Sequence, residues 1–341
     1  MIVTNKYNIS YPLYAALKYG GRYDGDTVGA DVSVTTLGDS PKIWKLKKQF
    51  EDRIHIDVTE MLWAILGNAV HFFIENAKLA DPTRFIIEKR MFMEINGLKV
   101  SGKMDVLDLL GASGILQNNE FIITGGTLND WKVSSVWAHI FQSEKISWQQ
   151  QVNYYASMLR NVGFILSNDE KILGQAIPKG TRVRIYPEQA TVTLIMRDWQ
   201  RKDAQFKPDY PQIQVSTIPI ILYEDEAVVN SMSEKSKLFL RVINGEEIDC
   251  SPKDMWHKGT TYAVIPSIGG RAYSGGLFST TDKDEASMPA RQRASLFALT
   301  LNGQGKTTFI EERLGDYTRC TSYCPVREFC QQRINLGIVI N

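Results

Sequence analysis

The chain has 341 residues, of which 43% are hydrophobic, so it can bury a substantial core, and this excludes an intrinsically disordered protein. Lys and Arg number 39 against 38 Asp and Glu, a formal net charge of +1, so no overall positive field attracts a polyanion. The apolar runs are too short to span a bilayer and the N-terminus lacks a secretory leader pattern, so we expect a cytoplasmic protein with no membrane partner.

Residues 1–57 predict an N-terminal arm. The stretch up to about residue 45 is rich in turn-forming residues, and "PKIWKLKKQF" then begins a helical pattern. This segment is basic and carries interleaved aromatic residues. It is either a patch that binds a nucleic-acid strand or simply the solvated face of a helix.

The segment from Val58 to Lys78, "VTEMLWAILGNAVHFFIENAK", predicts an amphipathic helix with one buried face. Its apolar residues recur at helical spacing, and the stripe comprises Leu62, Ile65, Leu66, Ala69, Val70, Phe73 and Ile74.

Residues 84–165 then predict strands followed by a helix. "RFIIEKRMFMEINGLKVSGKMDVLDLLG" reads as successive strands joined by an Asn96-Gly97 hairpin turn. "EFIIT" is a further strand that ends at the Gly125-Gly126 turn, and "SWQQQVNYYASMLR" predicts a helix. We therefore expect an α/β core over residues 58–200, with a sheet flanked by helices.

The remaining chain, residues 201–341, predicts an irregular C-terminal extension packed on the core. Just before it, two predicted strands in "RVRIYPEQATVTLIMRDW" complete the core. The extension then begins with a Pro-rich extended segment. Helices are predicted in "EAVVNSMSEKSKLFLRVING" and "DEASMPARQRASLFALTL", and a group of cysteines lies near the end.

Acidic residues fall on neighbouring predicted strands: Glu88, Asp105 and Asp130. Carboxylates on adjacent strands can converge on one point, and hard oxygen ligands suit Mg²⁺ or Mn²⁺. Lys132 shares a strand face with Asp130, where an ammonium can orient an attacking water and offset charge on a phosphate. The alternative for this pair is an ordinary exposed ion pair at a strand end.

Five short motifs occur in an order and spacing that resemble the PD-(D/E)XK nucleases. They are "GNAVHFFIE", "EKR", "GKMD", "DWK" and "QVNYY", and they cover about residues 58–165. The similarity is closest to the RecB-type exonucleases, whose relatives include the iron–sulfur nuclease of CRISPR adaptation. It implies a restriction-endonuclease-like mixed sheet flanked by helices.

The resemblance also implies a catalytic metal site. Asp105 and Asp130 would bind Mg²⁺ or Mn²⁺, with His71 and the main-chain carbonyl of Trp131 as further ligands, and Lys132 would position the attacking water. For His71 the alternative is a hydrogen-bonded helix histidine packed beside its neighbours.

Three other residues receive implied or open roles. Gln151 and Tyr155 lie four residues apart on one helix face and would hold the DNA strand near the metal. The alternative is an interfacial Gln and a core Tyr, a role that suits Tyr154 nearly as well. Glu88 is either an acid close to the metal or a surface charge.

Cys320, Cys324 and Cys330 lie within eleven residues at the spacing C-x3-C-x5-C, in a chain with four cysteines. The spacing departs from the common zinc knuckle and resembles the C-terminal cysteines of the iron–sulfur nucleases. The remaining cysteine, Cys250, follows the nuclease motifs, whereas in those relatives the fourth ligand precedes them. A [4Fe-4S] cluster, a structural Zn²⁺ and thiols without metal all remain open.

The resemblance implies a Mg²⁺-dependent DNA exonuclease acting in recombination, repair or phage DNA metabolism, in a bacterial or phage-infected host cell. Its DNA would be single-stranded or a frayed end, and a protein partner in a DNA-processing complex could add DNA affinity. The alternative is a non-catalytic DNA-binding or assembly subunit that keeps the nuclease fold. A CRISPR spacer-processing nuclease would have a shorter chain and an early cysteine.

Overall fold

The computed structural model describes residues 1–20, 29–141 and 145–340, so part of the predicted arm, residues 21–28, lies outside the described residues. The chain forms two compact units. The first comprises Met1–Pro41 and Asp52–Glu246, and the second comprises Lys42–Glu51 and Glu247–Asn341. The domain limits predicted at residues 57 and 200 stay predictions.

The helices vary from one turn to nineteen residues. They are α1 (Tyr11–Ala15), α2 (Val34–Gly38), α3 (Pro41–Gln49), α4 (Leu62–Glu75), α5 (Ala77–Ala80), α6 (Val136–Phe141), α7 (Lys145–Asn161), α8 (Arg201–Phe206), α9 (Asp225–Ile243), α10 (Ala290–Gly303) and α11 (Gln331–Asn335). Within the described ranges, no helix combines the length and apolar character that crossing a bilayer requires.

The strands are mostly short. They are β1 (Ile2–Thr4), β2 (Val32–Ser33), β3 (His55–Asp57), β4 (Phe85–Ile87), β5 (Arg90–Ile95), β6 (Leu98–Lys103), β7 (Val106–Asp108), β8 (Ser113–Gln117), β9 (Glu120–Thr124), β10 (Thr127–Ser134), β11 (Phe164–Ile165), β12 (Glu170–Ile172), β13 (Gln175–Ile177), β14 (Arg182–Tyr186), β15 (Gln189–Met196), β16 (Val215–Ile220), β17 (His257–Lys258), β18 (Thr261–Ile265), β19 (Leu277–Ser279), β20 (Phe309–Arg313) and β21 (Asp316–Tyr317).

The first unit is a mixed α/β structure. A five-stranded sheet has the order β16-β15-β10-β7-β4, in which β10 and β15 are parallel and the other pairs are antiparallel. A four-stranded sheet has the order β11-β14-β9-β8, and a three-stranded sheet the order β2-β6-β5. The predicted mixture of strands and helices is confirmed at this level.

The predicted hairpin forms with its turn at Asn96-Gly97, where both residues have positive φ, 54° and 89°. Each arm of the hairpin bends once, so the two predicted strands become four: β5 pairs with β6, and β4 pairs with β7 in the larger sheet. The register continues through the bend, where the Glu88 N–H donates to the Asp105 carbonyl at 2.8 Å. The bend therefore brings Glu88 and Asp105 opposite each other.

Gly125 and Gly126 separate β9 from β10 and let the chain pass from one sheet to the next. Both have positive φ, and a Cβ at Gly126 would lie 2.7 Å from the Asp108 carbonyl oxygen. A side chain at Gly126 would therefore displace β10 from β7. This turn starts the strand that carries Asp130.

The predicted buried stripe on α4 is only partly correct. Val70 and Ile74 pack against Ile87 and Trp131 in a small core cluster. The other stripe positions include side chains that the structure exposes: Ile65, Leu66 and Phe73, the last at 71%. The helix therefore has apolar side chains that no packing contact covers in the described part of the chain.

The second unit is built on a three-stranded antiparallel sheet in the order β19-β18-β20, with α10 against it. Val264 on β18 packs against Ala294, Ala298 and Leu301 on α10. The helix α3, far upstream in sequence, also belongs to this unit, where Phe50, just after its last residue, stacks on Phe329 with ring centroids 4.5 Å apart.

Candidate functional site

Two predicted acidic residues, Asp105 and Asp130, lie on adjacent antiparallel strands of the five-stranded sheet. The pairing of Asn129 with Val106 fixes the register, so Asp130 lies next to Asp105, which immediately precedes β7. Both side chains are buried, Asp130 with 1% of its surface exposed and Asp105 with 5%. The fold therefore brings two carboxyl groups together away from bulk water.

Asp130 lacks the hydrogen bonds that a buried carboxylate normally accepts. Within the described part of the chain, neither of its carboxylate oxygens has a hydrogen-bond partner. Lys132 Nζ lies 2.9 Å from Asp130 Oδ2, close enough for an ion pair but without hydrogen-bonding geometry. Lys132 compensates part of the charge, and Asp130 Oδ1 has no hydrogen-bond partner in the described part of the chain, so the buried carboxylate can accept a further cation.

Asp105 is oriented by the main chain of its neighbour strand. Its Oδ2 accepts a hydrogen bond from the Trp131 N–H at 2.7 Å, and its Oδ1 lies 3.6 Å from His71 Nδ1. Burial raises the pKa of Asp105 to about 7, and the negative charge of Asp130 acts in the same direction. A divalent cation between the two groups would remove this cause of protonation. The predicted role of the Trp131 carbonyl stays a prediction.

His71, Glu88 and Asp105 form a triad whose ligand atoms all lie within 4.8 Å of one another. His71 Nδ1 lies 3.0 Å from Glu88 Oε1, and the other Glu88 oxygen makes an ion pair with Lys103. The hydrogen bond to Glu88 raises the pKa of His71. Burial opposes ionisation of Glu88, but its bonds to His71 and Lys103 outweigh burial and lower its pKa. Glu88 is therefore an internal acid of the site, not a surface charge.

The backbone at Glu88 explains its orientation. Its φ of 55° lies in the left-handed region, which is unfavourable for a residue with a long side chain. The hydrogen bond from its N–H to the Asp105 carbonyl holds this conformation. Strained residues of this kind are common at functional sites, because the surrounding structure must stabilise them.

Gln151 and Tyr155 share one face of α7, as predicted, and Gln151 Nε2 donates to the Tyr155 hydroxyl at 3.0 Å. Tyr154 instead bonds Ser231 and Gln150 and is 2% exposed. The structure thus separates the two tyrosines, because Tyr155 borders the cleft described next.

A cleft of about 180 Å³ joins these residues. Five predicted site residues line it: His71, Asp105, Lys132, Gln151 and Tyr155. The lining also includes residues that the sequence analysis did not select: Ser33, Val34, Thr35, Arg90, Ser101 and Lys103. The cleft thus combines one buried acid, Asp105, with several basic and hydroxyl groups, and the predicted site residues Asp130 and Trp131 are not in its lining.

The missed basic residues had a detectable signal in the sequence. An Asn96-Gly97 turn fixes the register of its hairpin, which pairs Arg90 with Lys103 and continues to Glu88 and Asp105. Extending that register from the turn would have placed Arg90, Lys103 and Glu88 beside the predicted metal ligand.

The four cysteines line a second cavity, which lies within the second unit. All four are described, and none forms a disulfide. The other lining residues are Lys42, Ile43, Leu46, Asp254, Met255, Arg319, Val326, Arg327, Gln332 and Arg333. Burial raises the pKa of Cys320 to about 11, and the neighbouring Cys324 and Cys330 contribute to the shift. Burial also raises the pKa of Cys324, and the lining of the cavity holds more basic than acidic side chains.

Gln332 fixes Cys250 beside the other cysteines. Its side-chain amide donates to the Cys250 carbonyl at 2.9 Å, and its side-chain oxygen accepts from the Cys250 N–H at 2.8 Å. The segment around residue 250 is therefore attached to the C-terminal segment by two hydrogen bonds, and Cys250 lines the same cavity as the other three cysteines.

The spacing of the sulfur atoms bears on the choice of metal. Tetrahedral Zn²⁺ with Zn–S bonds of about 2.3 Å requires sulfurs roughly 3.8 Å apart. Among the described residues, only His71, Glu88 and Asp105 have three ligand atoms mutually within 4.8 Å, so no three cysteines meet this condition. The cavity that the cysteines share with ten other residues has a free volume of about 20 Å³. One zinc ion would require the thiols to move closer together.

No family model and no curated protein matches this chain. A solved structure described as "Crystal structure of SSO0001" is similar over 72% of this chain and 87% of that chain, with 16% sequence identity and a TM-score of 0.37. A likeness at this TM-score supports no inference about fold or function.

Proposed function

We propose that this chain is a metal-dependent DNA exonuclease with a restriction-endonuclease-like core. The observation that carries the proposal is the pair of buried carboxylates, Asp105 and Asp130, of which Asp130 has no hydrogen-bond partner in the described part of the chain. The pair offers oxygen ligands to a cation, and the adjoining cleft offers basic groups to an anionic substrate. Phosphodiester hydrolysis uses both features.

Asp105 and Asp130 would bind Mg²⁺ or Mn²⁺, with His71 as a third ligand. The residues fit such an ion, because carboxylate oxygens are its preferred ligands and neither oxygen of Asp130 has a hydrogen-bond partner in the described part of the chain. When bound, the ion makes water a better nucleophile and stabilises charge on the phosphate oxygens.

The side chains of the chain itself have separate tasks in this proposal. Lys132 reaches the cleft beside Asp130, where its ammonium orients the attacking water and offsets charge on the phosphate. His71 Nδ1 lies 3.0 Å from Glu88 Oε1 and 3.6 Å from Asp105 Oδ1, so Glu88 would hold the imidazole beside the proposed metal ligand Asp105. Gln151 and Tyr155 present an amide and a hydroxyl to the DNA strand.

The DNA is proposed to be single-stranded or a frayed end. Arg90, Lys103 and Lys132 give the cleft a local positive charge in a chain of net charge +1, which suits a phosphate backbone held at one confined place. The proposed exonuclease activity requires that a DNA end enters the cleft.

The four cysteines are proposed to hold a [4Fe-4S] cluster. They line one cavity, their sulfurs are too widely spaced for one zinc ion, and the basic residues around them complement an anionic metal–thiolate centre. Its role would be structural, since it joins segments that are distant in sequence. Iron and zinc analysis with the visible spectrum of anaerobically purified protein decides between a cluster and Zn²⁺.

The decisive experiment is Mg²⁺-dependent digestion of end-labelled linear DNA by the wild-type protein and by Asp130→Asn. We expect the wild type to release labelled nucleotides and the variant to be inactive. Equal activity in both proteins, or none in either, would refute the nuclease proposal and favour the DNA-binding alternative. A covalently closed single-stranded circle separates exonuclease from endonuclease activity, because cleavage of the circle would exclude a requirement for ends.

A further inference from the structure

Lys42 is a buried lysine in the wall of the cysteine cavity. It is the second residue of α3, and its side chain is 9% exposed. Its Nζ makes an ion pair of 2.7 Å with Asp249 Oδ1, directly before Cys250 in sequence. The pair therefore brings one positive and one negative group to the edge of the thiol cavity.

Lys42 differs from the arginines that line the same cavity. Each arginine donates to main-chain carbonyls: Arg319 to Asp254, Arg327 to Ser322, and Arg333 to Arg327 and Ile338. These hydrogen bonds stabilise the main-chain conformation of the segments around the cysteines. Lys42 instead comes from a separate segment and pairs with a side chain that is 70% exposed.

The position of Lys42 is also fixed by packing. Ile43, the next residue, is 4% exposed, and Ile43 and Leu46 of the same helix line the cavity. The helix therefore holds the main chain of Lys42 at the cavity wall, and the ion pair with Asp249 holds its ammonium. A lysine that is buried and paired has more influence on a neighbouring metal centre than a solvated one, since water screens it less.

We propose that Lys42 is a positioning residue of the cysteine site, whose ammonium raises the reduction potential of the metal centre, and that Asp249 limits this effect. The inference rests on the proposed [4Fe-4S] cluster. Reduction of such a cluster adds one electron, supplied by an external reductant, and so adds one negative charge. A nearby positive charge stabilises the reduced form, and a nearby negative charge destabilises it.

The chain offers a matched control one helical turn away. Lys45 lies on the same helix and pairs with Glu247 at 2.6 Å, but it does not line the cavity. Lys42→Met keeps the length and apolar stem of the side chain and removes its charge. Lys45→Met makes the same change outside the cavity.

The test is a redox titration of anaerobically purified full-length protein, with dithionite as reductant and the visible absorbance of the cluster as the signal. We expect Lys42→Met to lower the midpoint potential, Asp249→Asn to raise it, and Lys45→Met to leave it unchanged. A merely structural ion pair would not give shifts of opposite sign for its two partners. Equal potentials for the Lys42→Met and Lys45→Met proteins would overturn the proposal.

Two further outcomes are distinguished by iron analysis. If Lys42→Met binds no iron, Lys42→Arg becomes the comparison: a wild-type iron content and potential support the proposal, and a loss equal to that of Lys42→Met overturns it. A wild-type protein that contains zinc or no metal would refute the cluster and this inference together. Iron at full occupancy with an unshifted potential would refute only the role of Lys42.

Discussion

The cleft of the first unit and the cysteine cavity of the second unit differ in the side chains that line them. The cleft is lined by one buried acid, Asp105, and by the basic residues Arg90, Lys103 and Lys132. The cavity is lined by four thiols and by basic side chains such as Lys42 and Arg319, and burial raises the pKa of Cys320. Acids beside bases suit the proposed metal ion and phosphate, whereas thiols among bases suit the proposed metal–thiolate centre.

The largest expected effect is the loss of DNA cleavage when the charge of Asp130 is removed. Asp130→Asn keeps the shape of the side chain but removes its charge, so we expect Mg²⁺-dependent DNA cleavage to fall by about 10³-fold or more. Without metal, the variant should be more stable than the wild type by roughly 1–3 kcal/mol, because removing the repulsion between Asp130 and the buried Asp105 outweighs losing the ion pair with Lys132.

Calorimetry and the nuclease assay measure the two effects, with the exposed Asp209→Asn as control. A less stable Asp130→Asn protein would mean that the Asp130 charge is already compensated by the chain itself.

The second prediction tests whether the two sites act separately. Cys320→Ser removes one thiol of the cavity, so we expect the bound iron to fall at least about tenfold, since a cluster of this type needs four ligands. The increase in melting temperature on adding Mg²⁺ should stay as in the wild type. Iron analysis and thermal unfolding with and without Mg²⁺ measure both, and Ser322→Ala serves as control. Loss of the Mg²⁺ effect in Cys320→Ser would show that the sites depend on each other.

The third prediction concerns Glu88, which orients His71. Glu88→Gln keeps the size of the side chain but weakens its hydrogen bond to His71 and its ion pair with Lys103, so we expect Mn²⁺ affinity to fall about tenfold. Glu94→Gln is a control on the same hairpin, where Glu94 is exposed. Titration calorimetry with Mn²⁺ measures the affinity. An unchanged affinity in Glu88→Gln would contradict the proposed role of Glu88.

The smallest expected effect is a pH dependence of the metal-free protein. The pKa of Asp105 is raised from 3.8 to about 7, so between these pH values the folded state binds more protons than the unfolded state. Stability should therefore fall as pH rises through this window, by at most about 1.4 kcal/mol per pH unit for one group.

The raised pKa of His71 acts in the same direction at the upper end of the window, because its stabilising protonated form is lost as pH rises. Asp105→Asn should reduce the slope, and saturating Mg²⁺ should flatten it in the wild type. Urea unfolding at several pH values measures this. A stability that rises with pH across the window in the metal-free wild type would contradict a protonated Asp105.

Local sequence patterns were sufficient to predict many of the helices and strands and some of the residues that line the cleft. The period of two on β10 predicted that Asp130 and Lys132 share a face, and the structure separates their charged ends by 2.9 Å. The Asn96-Gly97 turn and the helix that carries Gln151 and Tyr155 were also correctly predicted. Each of these inferences depends on residues close together in sequence, where backbone geometry fixes the direction of side chains.

Features that depend on distant contacts could not be predicted in this way. Helical spacing on α4 identified apolar residues but not which of them are covered, and Phe73 is exposed while Ile74 is buried. The basic segment "PKIWKLKKQF" was interpreted as a strand-binding patch or a solvated helix face. Lys47 and Lys48 are exposed on α3, as the second alternative predicts, but Lys42 is buried and paired with Asp249, more than two hundred residues away. Periodicity contains no information about such pairings.

The assignment of α3 to the second unit has a consequence for protein synthesis. During translation, α3 leaves the ribosome long before the cysteines and the strands around them have been synthesised. Ile43 and Leu46 therefore stay uncovered until the C-terminal part of the chain has folded around them. A protein truncated after residue 246 would leave this apolar surface permanently exposed to water. Experiments on the cleft should therefore use the full-length protein, because the shorter fragment is prone to aggregate.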